Sequence, residues 1–389
     1  MYRPVQGRLP RDRREPAGAA PLPARPRDHN GGRPFASVRE RRGAAMELGK
    51  AIVDGAEARG MQHCETTALG VLLRHRGIDL SEPMLFGLGA GLSFVYWDSK
   101  QMPFPFLGGR VKPFELTKNL ATTLGLELSV RETTSARKAW ENAASLIDAG
   151  SPVGLQLDSY HLDYFGSKVH FGGHVVAMYG YDEHDAYLID TDQQGGTVST
   201  SRSSLAQARA ARGPMTARNR SFSVAAVPDR AGDPSPLRER IVPAVTACAR
   251  AFLDPPIANL GHRGIDKAGR LVRGWIRRAE DPKVDLPQAA LLMEKAGTGG
   301  ALFRNLYRDF LGECTGLVDS PRLRTGHRLY GEAAPLWTEA ADLIAKAGRT
   351  GETRYLDQAG TVLGDLARIE REAMQALSLL GDEDPRPAV

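Results

Sequence analysis

The sequence predicts an α+β domain over residues 46–228, a linker at 229–236 and an all-helical domain over 237–381. Three observations carry that reading. Two β-rich runs, Gly173-His174-Val175-Val176-Ala177-Met178-Tyr179-Gly180-Tyr181 and Ala186-Tyr187-Leu188-Ile189-Asp190, flank the polar turn Asp182-Glu183-His184-Asp185, which makes them a hairpin. A helical pattern precedes these strands, and one helix early with strands paired late reads as α+β. Beyond Asp229-Arg230-Ala231-Gly232-Asp233-Pro234-Ser235-Pro236 the apolar spacing becomes helical, with no convincing strand.

Composition bounds the function. The 389 residues are 42% hydrophobic and 25% charged, an ordinary globular balance. No apolar run approaches the ~18 residues of a membrane helix, and the Arg- and Pro-rich first 30 residues lack a secretory h-region. Cys64, Cys248 and Cys314 are scattered without a CxxC pair, which excludes a disulfide framework and a thiolate zinc site. A reducing, cytoplasmic compartment is expected. The net charge of +5 invites a nucleic-acid reading, but residues 1–45 alone hold eleven Arg against four acids, leaving −2 for residues 46–389. The tail also holds seven Pro and should be disordered. Translation from Met46, just ahead of the foldable sequence, stands beside translation from Met1. Residues 382–389 should fray.

Taken in order, His63 to Gly77 carries apolar positions 68, 69, 72 and 73 on one helical stripe, with Gly77 as its stop. Cys64 therefore sits at the N-terminus of a buried helix. Ser81-Glu82-Pro83 starts a short helix that runs into Gly87-Leu88-Gly89-Ala90-Gly91-Leu92. That loop lacks the Lys-Ser/Thr of a phosphate loop, so either its backbone approaches a ligand closely or it is a tight connection. A helix over 113–124, a strand over 126–131, a helix over 135–149 and a buried strand over 152–158 follow. The helical half reads as segments near 237–253, 265–279, 286–296, 300–315, 325–347 and 352–380.

Of the three thiols only Cys64 has a position that changes reactivity, because unpaired N–H groups at a helix start favour thiolate. Such a nucleophile needs a base and a group to orient it. His174 opens one strand of the hairpin, and Asp190 closes the other. A two-residue turn at Glu183-His184 pairs Asp190 with Ala177, so a bulge, for instance at Gly180, or strong local twist is needed; Asp192 lies nearer in the unbulged register and is a weaker candidate. A buried, inert cysteine remains the bland alternative. His161, Asp163, His170 and His174 cluster in sequence but match no HExxH-type spacing, so no metal is expected; a substrate loop around Asp158 and Tyr160 is the preferred reading. Phe104 and Phe106 read as packing or as a substrate wall.

The runs His63-Cys64-Glu65-Thr66-Thr67-Ala68-Leu69, Leu85-Phe86-Gly87-Leu88-Gly89-Ala90-Gly91-Leu92-Ser93-Phe94 and Gly173-His174-Val175-Val176 with Gly180-Tyr181-Asp182 resemble the butirosin biosynthesis protein H N-terminal family. The resemblance covers roughly 60–200. Gly299-Gly300-Ala301-Leu302-Phe303-Arg304-Asn305-Leu306-Tyr307 looks like the uncharacterised helical domain that often follows it. The resemblance implies a papain-like cysteine-peptidase-type fold, with Cys64 as nucleophile, His174 as general base then acid, and Asp190 as orienter. It implies an acyl group moved from a carrier-protein or coenzyme A thioester to an amine, without a cofactor. A papain-like peptidase or a non-catalytic binding module on the same fold is the alternative. Peptidases of this fold place an oxyanion Gln several residues ahead of the Cys. Here Glu57 and Ala58 stand there and the nearest amide is Gln62, so Gln62 or backbone N–H groups form the hole, with Gly89, Gly91, Asp158 and Tyr160 as further lining candidates. Residues 237–278 carry nine basic residues against three acids; Arg270, Arg273 and Arg277 share one face of a helix that buries Trp275. That face is either solvated surface or a dock for an acidic acyl carrier protein.

Overall fold

The computed structural model describes residues 49–57, 59–100, 102–166, 169–382 and 386–387. The expectations for residues 1–45 lie outside these. The first half runs β1 (Ala51–Ile52), α1 (Cys64–His75), α2 (Glu82–Leu88), β2 (Leu92–Trp97), β3 (Phe106–Arg110), α3 (Glu115–Leu124), β4 (Glu127–Arg131), α4 (Ala136–Asp148), β5 (Val153–Leu157), β6 (His174–Tyr181), β7 (Asp185–Ile189), β8 (Thr197–Ser201), α5 (Arg202–Ala210) and β9 (Ser221–Ala226). An antiparallel sheet takes the order β4-β9-β5-β6-β7-β8, with β1 pairing β6 beyond the end of β5. The class is α+β, as the sequence predicts.

Alternation along β6 builds two cores. Val175 and Ala177 face α1, α2 and α3, whereas Val176 and Met178 face Ala143 and Ile147 of α4 and Leu205 and Ala208 of α5. The helix α1 is buried from Cys64 through Leu73 because the sheet covers one side and further helices the other. Several elements of this half go unread in the sequence, among them β1, β8 and α5. The hairpin β2–β3 stands apart from the large sheet, and β9 enters between β4 and β5.

The second half is helical: α6 (Pro234–Leu253), α7 (Gly261–Leu271), α8 (Trp275–Arg278), α9 (Pro282–Lys295), α10 (Arg304–Thr315), α11 (Pro321–Thr350) and α12 (Arg354–Ser378). The segment expected as linker already starts a helix, since Asp233 occupies the N-cap position and Pro stands in the first turn. The helix expected over 265–279 is broken by a 3₁₀ turn at Val272–Gly274. A short strand, β10 (Val318–Asp319), pairs with β11 (Arg386–Pro387), so part of the tail expected to fray is paired. One apolar cluster runs from Leu69 and Phe86 through Phe94 to Trp275, Phe310 and Trp337, and thus through both halves. Gly87 marks the closest approach: a Cβ there would stand 2.0 Å from the Phe310 ring. Phe104 packs edge-on against Trp275 at 5.0 Å, the packing role of the two open to it. Among the described residues no helix is long and apolar enough to cross a membrane.

Candidate active site

Cys64 is the first residue of α1, and His63 holds the N-cap position with extended backbone. No side chain of the local sequence caps this helix. Its entry is instead fastened from α2: the buried Glu82 carboxylate accepts the N–H groups of Gln62 (3.1 Å) and His63 (2.7 Å) and the Thr66 hydroxyl (2.9 Å). Burial pushes the Glu82 carboxyl up, and those three donors oppose the shift. The Asp192 N–H ties down the other side by donating to the Met61 carbonyl at 2.9 Å.

The His63 ring is held between Phe86 (5.9 Å) and Phe303 (5.4 Å), edge-on to both. Burial, then Arg110 and His174, hold its pKa well below the usual value, so it is a neutral spacer. Phe303 ends a run of five residues with left-handed backbone, at φ of 67°, 82°, 50°, 48° and 74° from Gly299 to Phe303. For Ala301, Leu302 and Phe303 such backbone costs about 1–2 kcal/mol each. Gly299 suits its positive φ of 67°, and a Cβ there would displace the Gln62 side-chain oxygen, 2.4 Å away.

The hairpin solves the register problem with one extra residue. Ala177 pairs with Ile189 and Met178 with Leu188, whereas Gly180 pairs with Tyr187, so the bulge lies at Tyr179 beside the expected Gly180. A one-residue shift exchanges faces. Without it Asp190 would share the face of Ala177; with it Asp190 falls beside Val176, on the face of His174 and one diagonal step away. The outcome is a 2.7 Å hydrogen bond between His174 Nε2 and Asp190 Oδ2. Asp190 also accepts the Tyr164 hydroxyl at 2.8 Å and the Thr191 N–H at 2.7 Å.

Cys64 acts on the same imidazole, favouring its charged form together with Asp190. Burial works against a charged imidazole here, but Asp190 and Cys64 outweigh it and raise its pKa to about 10. The site is closed: Cys64, His174 and Asp190 are 7%, 5% and 0% exposed. Phe165 covers the His174 ring edge-on at 5.2 Å. A histidine raised from 6.5 to about 10 stabilises the fold fully below pH 6.5, and that stabilisation is lost as pH rises through about 10. In Asp190→Asn burial prevails, and the His174 ring, followed by NMR, should titrate at least about one unit lower. An unmoved titration would remove Asp190 from this role.

The other candidates are placed differently. Gln62 is exposed and its side-chain oxygen lies against Gly299. Gly89 and Gly91 correct the ligand-approach expectation: a Cβ at either would stand 2.8 Å from the Leu116 side chain, so their close approach is to α3. Asp192 is exposed and contributes through its backbone. Asp158 and Tyr160 lie at the end of β5, where Asp158 accepts the Tyr160 N–H at 3.1 Å. Of the four clustered residues, Asp163 is drawn to the Ser201 N–H (2.9 Å), His174 to Asp190, and only His161 and His170 stay together. The basic helix face is interrupted: Arg270 pairs with Asp266, Arg273 with Asp357 at 3.5 Å, and Arg277 is exposed beyond the 3₁₀ turn. Sequence reasoning missed Tyr164, Phe165, Glu82 and His63. Only Glu82 carried a signal, as an acid in a first turn, and that signal pointed to its own helix.

Residues 63–191 match the family model described as butirosin biosynthesis protein H, N-terminal. A domain of unknown function (DUF4872) matches residues 203–377 and follows the butirosin-type domain directly. No curated protein matches the chain significantly. The family name ties the chain to specialised-metabolite biosynthesis. The second match begins inside α5 and contains β9, so it completes the sheet of the butirosin-type domain. It also contains the left-handed turn at Gly299–Phe303 that bears on Gln62 and His63.

Proposed function

We propose that the protein is a cysteine-dependent acyltransferase that moves an acyl group from a carrier-protein or coenzyme A thioester to an amine in aminoglycoside-like metabolism. The observation that supports it is the buried Cys64–His174–Asp190 array. In the first half-reaction the Cys64 sulfur attacks the thioester carbonyl, the donor C–S bond breaks, and the imidazolium gives its proton to the departing thiolate. In the second an amine attacks the acyl-enzyme, the Cys64–acyl bond breaks, and His174 takes the amine proton. Thioester to thioester to amide is downhill at its last step, so the balance requires no redox partner or nucleotide. The oxyanion is assigned to backbone N–H groups at the start of α1, which Glu82 fixes from outside. Little exposure at the thiol favours transfer, since water is the competing acceptor.

With a small acyl thioester and no amine, intact mass should show one acyl group on Cys64, and adding an amine should release it as amide. Free acid formed at a rate indifferent to amine would mark a hydrolase. For the donor, α7 and α12 flank a groove of about 550 Å³ lined by His262, Arg263, Lys267, Arg270, Arg368 and Arg371 against Asp266. Among the described residues the Arg263 and Arg371 side chains have no hydrogen bond or ion pair, and this is where we assign docking of an acidic carrier protein. Reversing both to Glu should raise KM for a carrier-bound donor roughly tenfold at low salt, leaving a small thioester unaffected. Equal response of the two donors would reduce the groove to solvated surface.

A further inference from the structure

Asp158, His161 and His170 meet where β5 gives way to the loop that returns to His174. One donor atom from each lies within 4.8 Å of the other two. Asp158 is the buried member at 3% exposure, His161 is half-buried and His170 is exposed. The Asp158 carboxylate already closes the loop on itself. It accepts the N–H groups of Tyr160 (3.1 Å) and Phe171 (2.9 Å) on Oδ1, and lies 2.8 Å from His170 Nδ1 through Oδ2. The Tyr160 ring stacks on His170 at 4.0 Å and meets His161 edge-on at 5.2 Å, so one aromatic side chain holds both imidazoles in place.

Two imidazoles and one carboxylate form a donor set suited to borderline divalent ions, zinc foremost, with a fourth position left for water. We propose that Asp158, His161 and His170 bind one divalent transition-metal ion of the zinc class, which clasps the two ends of the 159–171 loop. The metal takes the place of the proton between His170 Nδ1 and Asp158 Oδ2. A neutral imidazole then carries its single proton on Nε2, so binding balances without loss of a proton. Ligands at about 2.0–2.2 Å from a tetrahedral metal stand roughly 3.3–3.6 Å apart, so the Asp158–His170 pair opens from 2.8 Å to admit the ion while any wider separation closes. These shifts fall on His161 and His170, whose side chains lie outside the core, while the Ser204 hydroxyl donates to the His161 carbonyl and anchors that backbone.

The loop so clasped carries Tyr164 and Phe165, the first bonded to Asp190 and the second covering His174. The metal would therefore act as a positioning device for the triad, and no reaction step passes through it. Binding can be read without acyl transfer, so its failure is separate from failure of the proposed activity.

The test uses the untagged full chain carrying Cys64→Ser, which removes the thiol that would compete for zinc with His174. Calorimetric titration with zinc chloride at neutral pH should give one equivalent per chain, and cobalt should give the visible band of a four-coordinate site. Adding His161→Ala and His170→Ala should weaken zinc at least tenfold and abolish the cobalt band. Zinc should also slow hydrogen exchange over 159–171 in the parent and not in that variant. No stoichiometric uptake by the parent, or equal uptake by both proteins, overturns the site. Uptake with unchanged exchange overturns the clasp.

Discussion

Cys64→Ser should leave a folded chain whose turnover falls by roughly a thousandfold or more, because a hydroxyl cannot supply the anion that a thiol supplies beside His174. The volume change is small, so the melting temperature should move by no more than a few degrees. The same asymmetry appears in labelling. Iodoacetamide reacts with thiolate, and the other two cysteines are poor sources of it. Burial pushes Cys248 up to about 11, and burial together with Glu313 raises Cys314 well above its usual value; both are buried in the shared core. Cys64 has an imidazole beside it and a little exposure. Intact-protein mass spectrometry at short times should therefore show one adduct, mapped to Cys64. Three adducts forming together in the native protein, or full turnover by the serine variant, would remove the nucleophile from the scheme.

Cys64, His174 and Asp190 were legible in the sequence because each sits at an element boundary with its own local marker. The first heads an apolar helical stripe, and the other two bound a hairpin whose turn chemistry is written in four residues. The register conflict was legible too, since the arithmetic left Asp190 on the wrong face without a bulge or a strong twist, and the chain uses the bulge. What surrounds the triad was not legible, for a common reason. Glu82 reaches Gln62 and His63 across 20 and 19 residues, Tyr164 reaches Asp190 across 26, and Phe303 meets His63 from the far half of the chain. None of these contacts has a periodicity. The basic helix failed differently: its 100° spacing was sound, but Val272–Gly274 tightened to 3₁₀ geometry, and Arg270 and Arg273 found acidic partners. The Gly89 and Gly91 pair shows the same limit, since glycine announces a close approach without saying what approaches.

The interior of the helical half carries a prediction of comparable size. Arg304 and Glu370 are both fully buried. The guanidinium donates to the carboxylate through Nε (2.8 Å) and Nη2 (2.9 Å), and Trp337 Nε1 donates to the same carboxylate at 2.5 Å. Arg304 Nη1 turns the other way, to the Leu302 carbonyl at 2.8 Å, and the ring of Trp337 lies 4.5 Å beneath the cation. One side chain thus joins α10, α12 and α11 to the left-handed turn whose Phe303 presses on His63. Arg304→Met would leave Glu370 buried without its cation, which costs about 3–5 kcal/mol. For a chain of this size that is a fall in melting temperature of roughly 4–7 °C. The lost bond to Leu302 also frees a strained turn, so Cys64 alkylation below the melting transition should change in rate as well. Restoring neutrality with Arg304→Met and Glu370→Leu together should recover part of the stability, because two apolar groups replace a desolvated pair while Trp337 Nε1 loses its acceptor. The alkylation rate should stay altered in the double variant, since Leu302 has still lost its donor. A single variant that melts with the parent would show that the pair is dispensable to the core. A double variant with parental labelling would show that the turn holds His63 without Arg304.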